Sequence, residues 1–336
     1  MVDSAPRPVG RARAGGVWGL VAPAVALLLL AAGCGRTAAP ASSGAPAASK
    51  APAAPRATAE VPAVIPAVGA ENEYANVIAQ IGGRYVRVVA VESNPNTDPH
   101  TFEASAAVGR ELAAADLVVM NGLGYDDWAP KMLTASPSPT RKVIDVQTLL
   151  GLPNNTPNPH LWYAPTTMPA VARAIAADLS ALQPAHTVYF RTQVTKFTDS
   201  LQPWYAAIAA FKAKYAGTPV AVTEPVGDYL LQAAGCDIAT PFSLQAAIMN
   251  GTDPAPQDVT VQENLFRDHR VKVFVYNEQV TDPLTQSFET LARHEGIPIV
   301  GVYETMPTGY TYQSWMLAEL QALERAVAHK TSTTKL

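Results

Sequence analysis

Two histidines stand in loops of the same make. His100 lies in the run Asn94 to Ser105 (N-P-N-T-D-P-H-T-F-E-A-S), and His160 lies in Asn158-Pro159-His160-Leu161-Trp162. In both, a proline comes just before the histidine. An X-Pro peptide keeps the preceding residue extended, and Pro has no N–H for a helix or ladder. Each imidazole is therefore presented by a stiff, non-helical loop, and two neutral imidazoles at one cleft would serve a divalent transition metal. Two carboxylates complete the candidate set: Glu224 in Val222-Thr223-Glu224-Pro225, and Glu304 in Tyr303-Glu304-Thr305. The four are separated by 60, 64 and 80 positions, unlike the local spacings of zinc fingers. Residues so dispersed cannot nucleate a fold around an ion, so preformed lobes must bring them together. Each has a plainer role when taken alone. A lone loop histidine is a surface or capping residue, Glu224 could complement a helix N-terminus, and Glu304 could be a solvated loop acid. His186, His269, His294 and His329 sit on helical segments with polar neighbours and are expected at the surface.

Short apolar runs alternate with helical patterns from Val61 onward, which predicts an α/β fold with parallel sheets. Strands are expected over Ala63–Val68 (despite Pro66), Tyr85–Val91, Asp116–Asn121 and Lys142–Val146 in the first half. In the second half they are expected over Pro219–Thr223, Cys236–Thr240, Val271–Tyr276 and Ile297–Val302. Each of the four candidate ligands then lies past the C-terminal end of a strand, where open α/β sheets bind ligands. Ser105 is placed to cap a helix running to Ala114. Between the halves, Phe190, Val194, Phe197, Leu201, Trp204, Ile208, Phe211 and Tyr215 recur every three or four residues. They predict one helix from Ala185 to Tyr215, bent at Pro203 and ~45 Å long at ~1.5 Å per residue. The fold class is thus α/β: two lobes of parallel-sheet βα units joined by one long backbone helix.

The 336 residues suit two domains with extra segments. A net charge of -4, with no Lys/Arg cluster, gives no reason to expect nucleic acid as a partner. Arg7, Arg11 and Arg13 precede an apolar run from Val17 to Ala32 that ends in Ala31-Ala32-Gly33-Cys34. That is the layout of a signal peptide over residues 1–33, and its end resembles the lipobox of bacterial lipoproteins, with Cys34 as the lipidated residue. The run is short of the ~20 residues that span a bilayer. Residues 34–60 are rich in Ala, Pro and Ser and read as a tether. Acylation of Cys34 would leave Cys236 without a partner, in an apolar setting that favours an inert thiol. Residues 61–183, 184–216 and 217–330 are then the N-terminal lobe, the linking helix and the C-terminal lobe.

The runs Asp98-Pro-His-Thr-Phe-Glu103, Ala115-Asp-Leu-Val-Val-Met-Asn-Gly122 and Asn158-Pro-His-Leu-Trp162 carry a resemblance. It covers nearly all of residues 62–328 and is to the metal-binding solute-binding lipoproteins of ABC importers, the manganese/zinc/iron group. The resemblance implies two lobes joined by a long helix with one metal between them, and no enzymatic activity. It implies His100 and His160 as first and second ligands, and Glu224 as the third, where the family has His or Glu. It implies Glu304 at the fourth position, where the family more often has Asp; Glu278 is the nearby alternative. It further implies a monomer, tethered to the cell membrane on its extracytoplasmic side, that serves a permease and its ATPase.

Two imidazoles with two carboxylates suit Mn(II) and Fe(II) as well as Zn(II), and bidentate carboxylates raise the coordination number above zinc's usual four. The zinc importers of the resembling family often carry a third His and a His-rich loop, and residues 101–125 hold no His. The cargo expected is a divalent metal, Mn2+ before Zn2+, with Fe2+ a third candidate. Two other functions compete. A metal-dependent enzyme could use the same donors, although no H-E-x-x-H, G-x-S-x-G or Gly-rich phosphate loop occurs. A surface adhesin is a label given to members of the family, with no support from particular residues here.

Overall fold

The computed structural model describes residues 63–336. The expected signal peptide, the Cys34 lipidation site and the tether lie outside the described residues. No helix among the described residues is long and apolar enough to cross a membrane.

The first lobe runs β1 (Ile65–Glu71), α1 (Asn72–Gly82), β2 (Val86–Glu92), α2 (Ala106–Ala114), β3 (Leu117–Met120), α3 (Trp128–Ala135), β4 (Lys142–Asp145), α4 (Val146–Leu149) and α5 (Thr167–Leu182). Its four strands are parallel, in the order β2-β1-β3-β4. The apolar run of β3 is buried throughout, as a strand covered on both faces requires. Pro66 is tolerated in central β1 because the β3 pairing begins only at Ala67. Ser105 caps α2, its hydroxyl accepting from the Val108 amide.

The connecting segment is helical, but where one helix from Ala185 to Tyr215 bent at Pro203 is expected there are two, broken two residues before that proline. After α6 (Thr187–Ser200), Leu201 breaks the ladder and α7 (Gln202–Tyr215) follows, with Pro203 in its first turn. There the missing proline N–H costs no intrahelical bond.

The second lobe runs β5 (Pro219–Val222), α8 (Asp228–Ala233), β6 (Asp237–Ile238), α9 (Phe242–Met249), α10 (Pro256–Arg267), β7 (Val273–Asn277), α11 (Pro283–His294), β8 (Ile299–Val302) and α12 (Tyr312–His329). Its sheet is also parallel, β6-β5-β7-β8, repeating the order of the first. Helix α9 has no counterpart among the sequence expectations. It buries Leu244, Gln245 and Ile248 without a clean polar face, so its period is hard to read. One continuous core joins the lobes, with Trp162, Tyr163, Phe197, Trp204, Tyr312 and Trp315 all buried within it.

Candidate metal centre

The strand ends of the two sheets meet across the lobe junction, and the predicted residues arrive there by different routes. His100 follows β2 in a tight turn in which the Asp98 carboxylate accepts from the His100 amide at 2.8 Å. Its imidazole keeps 22% of its surface exposed. His160 follows β4 and α4 and is fully buried. Asn158 orients it, because one oxygen, Oδ1, accepts from the His160 amide at 3.0 Å and from the ring Nδ1 at 2.8 Å. That bond places the ring proton on Nδ1 and turns the lone pair of Nε2 toward the cleft.

Glu304 follows β8, buried to 1% exposure. Its Oε2 lies 3.0 Å from His100 Nε2 and 3.0 Å from His160 Nε2. One ligand atom from each of these three residues lies within 4.8 Å of the other two. Two ligand atoms that share an ion at ~2.1 Å sit roughly 3.0–3.4 Å apart for angles from square to tetrahedral, so the spacing suits a common metal. The donor set argues the same way. A neutral His160 directs a lone pair at a carboxylate oxygen, a repulsion that a cation between them would remove.

Glu224, just past β5, is buried to 2% but stands outside that group of three. Asn277, at the end of β7, donates through Nδ2 to Glu224 Oε1 at 3.0 Å and to Glu304 Oε1 at 2.7 Å. Glu224 Oε2 is buried with no partner, which leaves it free for an ion. Glu278 is directed elsewhere, among Glu289, Arg293 and Lys335. Of the other histidines, His269, His294 and His329 are exposed, and His186 stacks on Tyr85 with ring centroids 4.0 Å apart.

Electrostatics follow from this packing. Burial pulls the His100 imidazolium down, but the charge and hydrogen bond of Glu304, with Glu224 and Asp98 behind it, outweigh burial and lift it to about 9. Burial alone would raise Glu304; the charge and hydrogen bond of His100 reverse that and hold it well below the carboxylate range. Burial keeps His160 neutral, below its ordinary 6.5. Burial and the Glu304 charge push Glu224 well above 4.5.

Several contacts escaped the sequence reading. Tyr125 donates its hydroxyl to Glu304 Oε2 at 3.1 Å. It is carried by a turn in which Gly122 adopts φ +80 and the Asp126 carboxylate accepts from the amides of Asn121 and Gly122. Gln279 accepts from the Glu304 amide at 2.6 Å. The place of Asn277 at a strand end, and of Asn158 two residues before a ligand candidate, were the available signals.

The chain has relatives among known proteins. The manganese-binding lipoprotein MntA of Bacillus subtilis (strain 168) is 25% identical over 142 residues, 39% of this chain, and the match spans 44% of that protein. The periplasmic zinc binding protein TroA from Treponema pallidum has the same fold, with a TM-score of 0.66 at 17% identity, covering 78% of this chain and 99% of that one. FpvC from P. aeruginosa, solved with Ni2+, gives a TM-score of 0.65 at 21% identity over 80% of this chain and 99% of its own. Residues 68–326 match the family described as the periplasmic zinc-uptake complex component A, ZnuA. The chain therefore belongs to the ZnuA family, the metal-binding solute-binding proteins of ABC importers, whose members are transport receptors and not enzymes.

Proposed function

We propose that the protein is a lipid-anchored extracytoplasmic receptor that captures one divalent transition metal between its lobes and hands it to a membrane permease. His100, His160 and Glu304 bind the ion, and Glu224, whose buried Oε2 meets no donor, is the fourth ligand. The observation that carries this reading is the convergence of three ligand atoms within 4.8 Å from loops of both lobes. Cys34 is the lipidated residue, residues 34–60 are the tether, and the lobes are residues 61–183 and 217–330 on either side of the 184–216 link.

Manganese is the favoured cargo. Two carboxylates beside two imidazoles make a harder set than zinc's all-His or Cys sites. The manganese-binding MntA of B. subtilis is consistent with this choice. Zinc is the alternative, and the description of the family and the TroA relative support it. Zn(II) binds most N/O sites more tightly than Mn(II), so affinity for zinc alone does not identify the cargo. Competitive titration of the chelator-stripped protein with Mn2+, Fe2+ and Zn2+ tests the reading. It expects one tight site, lost in His160→Ala and Glu304→Ala. Absence of stoichiometric binding, or binding indifferent to both substitutions, would sink it.

A further inference from the structure

The two sides of the lobe junction are built differently. On the His160 side it is bolted. Tyr312 donates its hydroxyl to the Trp162 carbonyl at 2.6 Å, Asn158 donates to the Pro225 carbonyl at 2.7 Å, and Tyr229 donates to the Asn158 carbonyl at 2.9 Å. Tyr163 lies 2.7 Å from the Tyr303 carbonyl, next to Glu304. Asn72 and Met306 exchange two further bonds, and the continuous aromatic core fills the space between. Sliding the lobes apart would break all of these together.

On the His100 side the junction is sparse. The loop from Ser93 to Glu103 is mostly exposed, and its hydrogen bonds are local except for two. One joins His100 to Glu304; the other runs from Gln279 Nε2 to the Thr97 carbonyl at 2.7 Å. Open space flanks the loop. A cleft of about 520 Å³ separates Asp98, His100 and Thr101 from Met249, Asn250 and Gly251, and a second of about 240 Å³ lies behind it against Thr305. The loop has room to swing out on an otherwise fixed frame.

Gln279 joins the loop to the second lobe without being a ligand candidate. It is 6% exposed, and its amide is fully used. Oε1 accepts from the amides of Glu304 at 2.6 Å and Thr305 at 2.8 Å, while Nε2 donates to Thr97 and to the Thr305 hydroxyl at 3.1 Å. Two backbone donors on Oε1 fix which way the amide points, so its N–H must face Thr97.

We infer that Gln279 is a positioning residue that latches the His100 loop onto the Glu304 backbone, and that metal leaves by release of this loop while the lobes stay joined. The inference rests on the metal-receptor reading above. Losing this hydrogen bond should speed loop opening by a modest factor, read as the release rate of the metal.

The test uses the full protein loaded with Mn2+ and, separately, with Zn2+, and follows release to excess chelator in a stopped-flow instrument. Gln279→Glu keeps an acceptor for the two amides but loses the donor to Thr97; Gln279→Met keeps the shape and loses both functions. Tyr312→Phe removes a bolt on the other side. The latch expects release about 5–10-fold faster in both Gln279 variants, with association little changed, and wild-type release in Tyr312→Phe. Amide exchange over residues 94–102 should rise in the Gln279 variants, while residues 158–163 stay protected. Wild-type release rates in both Gln279 variants, or equal acceleration in Tyr312→Phe, would overturn the latch. A wild-type protein that binds neither metal would overturn the receptor reading itself, a different result from bound metal with unchanged release.

Discussion

His100 and His160 meet edge to face, ring centroids 6.1 Å apart and planes at 87°, with one oxygen of Glu304 3.0 Å from the Nε2 of each. The two are not equivalent. His160 is sealed in the core and oriented by Asn158, whereas His100 sits on a loosely held loop at the cleft mouth.

That inequality predicts different costs for their removal. His160→Ala leaves a gap that no solvent can fill, and affinity should fall by about 100-fold or more, beyond the range seen for ligand-orienting groups. Water can take the place of the His100 imidazole at the mouth, so His100→Ala should lose less. Isothermal titration with Mn2+ decides it; a larger loss in His100→Ala would contradict this ordering.

Asn277 holds the two carboxylates of the second lobe with one amide nitrogen. Asn277→Ala should weaken metal binding about 10–100-fold, as outer-shell groups do, without changing stoichiometry. It should also destabilise the metal-free protein, because Glu224 and Glu304 lose their shared donor. Equilibrium dialysis and thermal unfolding read the two effects separately.

Metal must compete with protons in this site. In the metal-free protein His100 holds its proton up to about 9, and Glu224 is pushed above the usual carboxylate range. Loading an ion on His100 therefore releases its proton, and Glu224 adds a second wherever it is protonated. The logarithm of affinity should climb by at least one per pH unit below about pH 9 and lose the His100 contribution above it. Glu224→Gln should remove any slope in excess of one. An affinity that stays flat from pH 6 to pH 8 would remove His100 from the ligand set.

How far this was legible in the sequence depends on what each residue does. His100 and His160 advertise themselves, because Pro-His loops after apolar runs have few structural uses. Glu224 and Glu304 could be found by asking what lies past each strand. Asn158, Asn277, Gln279 and Tyr125 could not, because a neutral amide or phenol acquires its role only from what folding sets beside it. The strands were readable from apolar runs and the break in the link only as a bend at Pro203, whereas α9 lacks the polar face that would have marked it.

Glu71, Glu73, Glu92 and Asp126 were hidden for the same reason. They look like surface acids, yet they gather at the strand ends of the first lobe with exposures of 2%, 0%, 5% and 1%. Glu92 accepts from Trp128 Nε1 and Asp126 from two amides, while neither oxygen of Glu71 or Glu73 meets a donor. None of the four forms an ion pair with Lys or Arg among the described residues. Burial, reinforced by their mutual repulsion and by Glu304, lifts Glu71 and Glu73 well above 4.5 and Glu92 to about 8; burial lifts Asp126 to about 6. A carboxyl whose folded pKa lies above its unfolded one gives stability that is complete below about 4.5 and drains away as pH rises through the folded value. The His100 imidazolium acts in the same direction, its contribution complete below 6.5 and lost toward 9. The metal-free protein should therefore lose stability steadily from pH 5 to pH 9. Glu71→Gln tests the cause, because a glutamine amide can donate to Asp126 without holding a titrating proton. The variant should melt about 1–2 °C above wild type at pH 8, the shift expected for about 1 kcal/mol in a protein of roughly 300 residues, and level with it at pH 5. A melting temperature that rises with pH in the wild type, or a Glu71→Gln variant less stable at pH 8 than wild type, would show that these acids are ionised and held by partners other than each other.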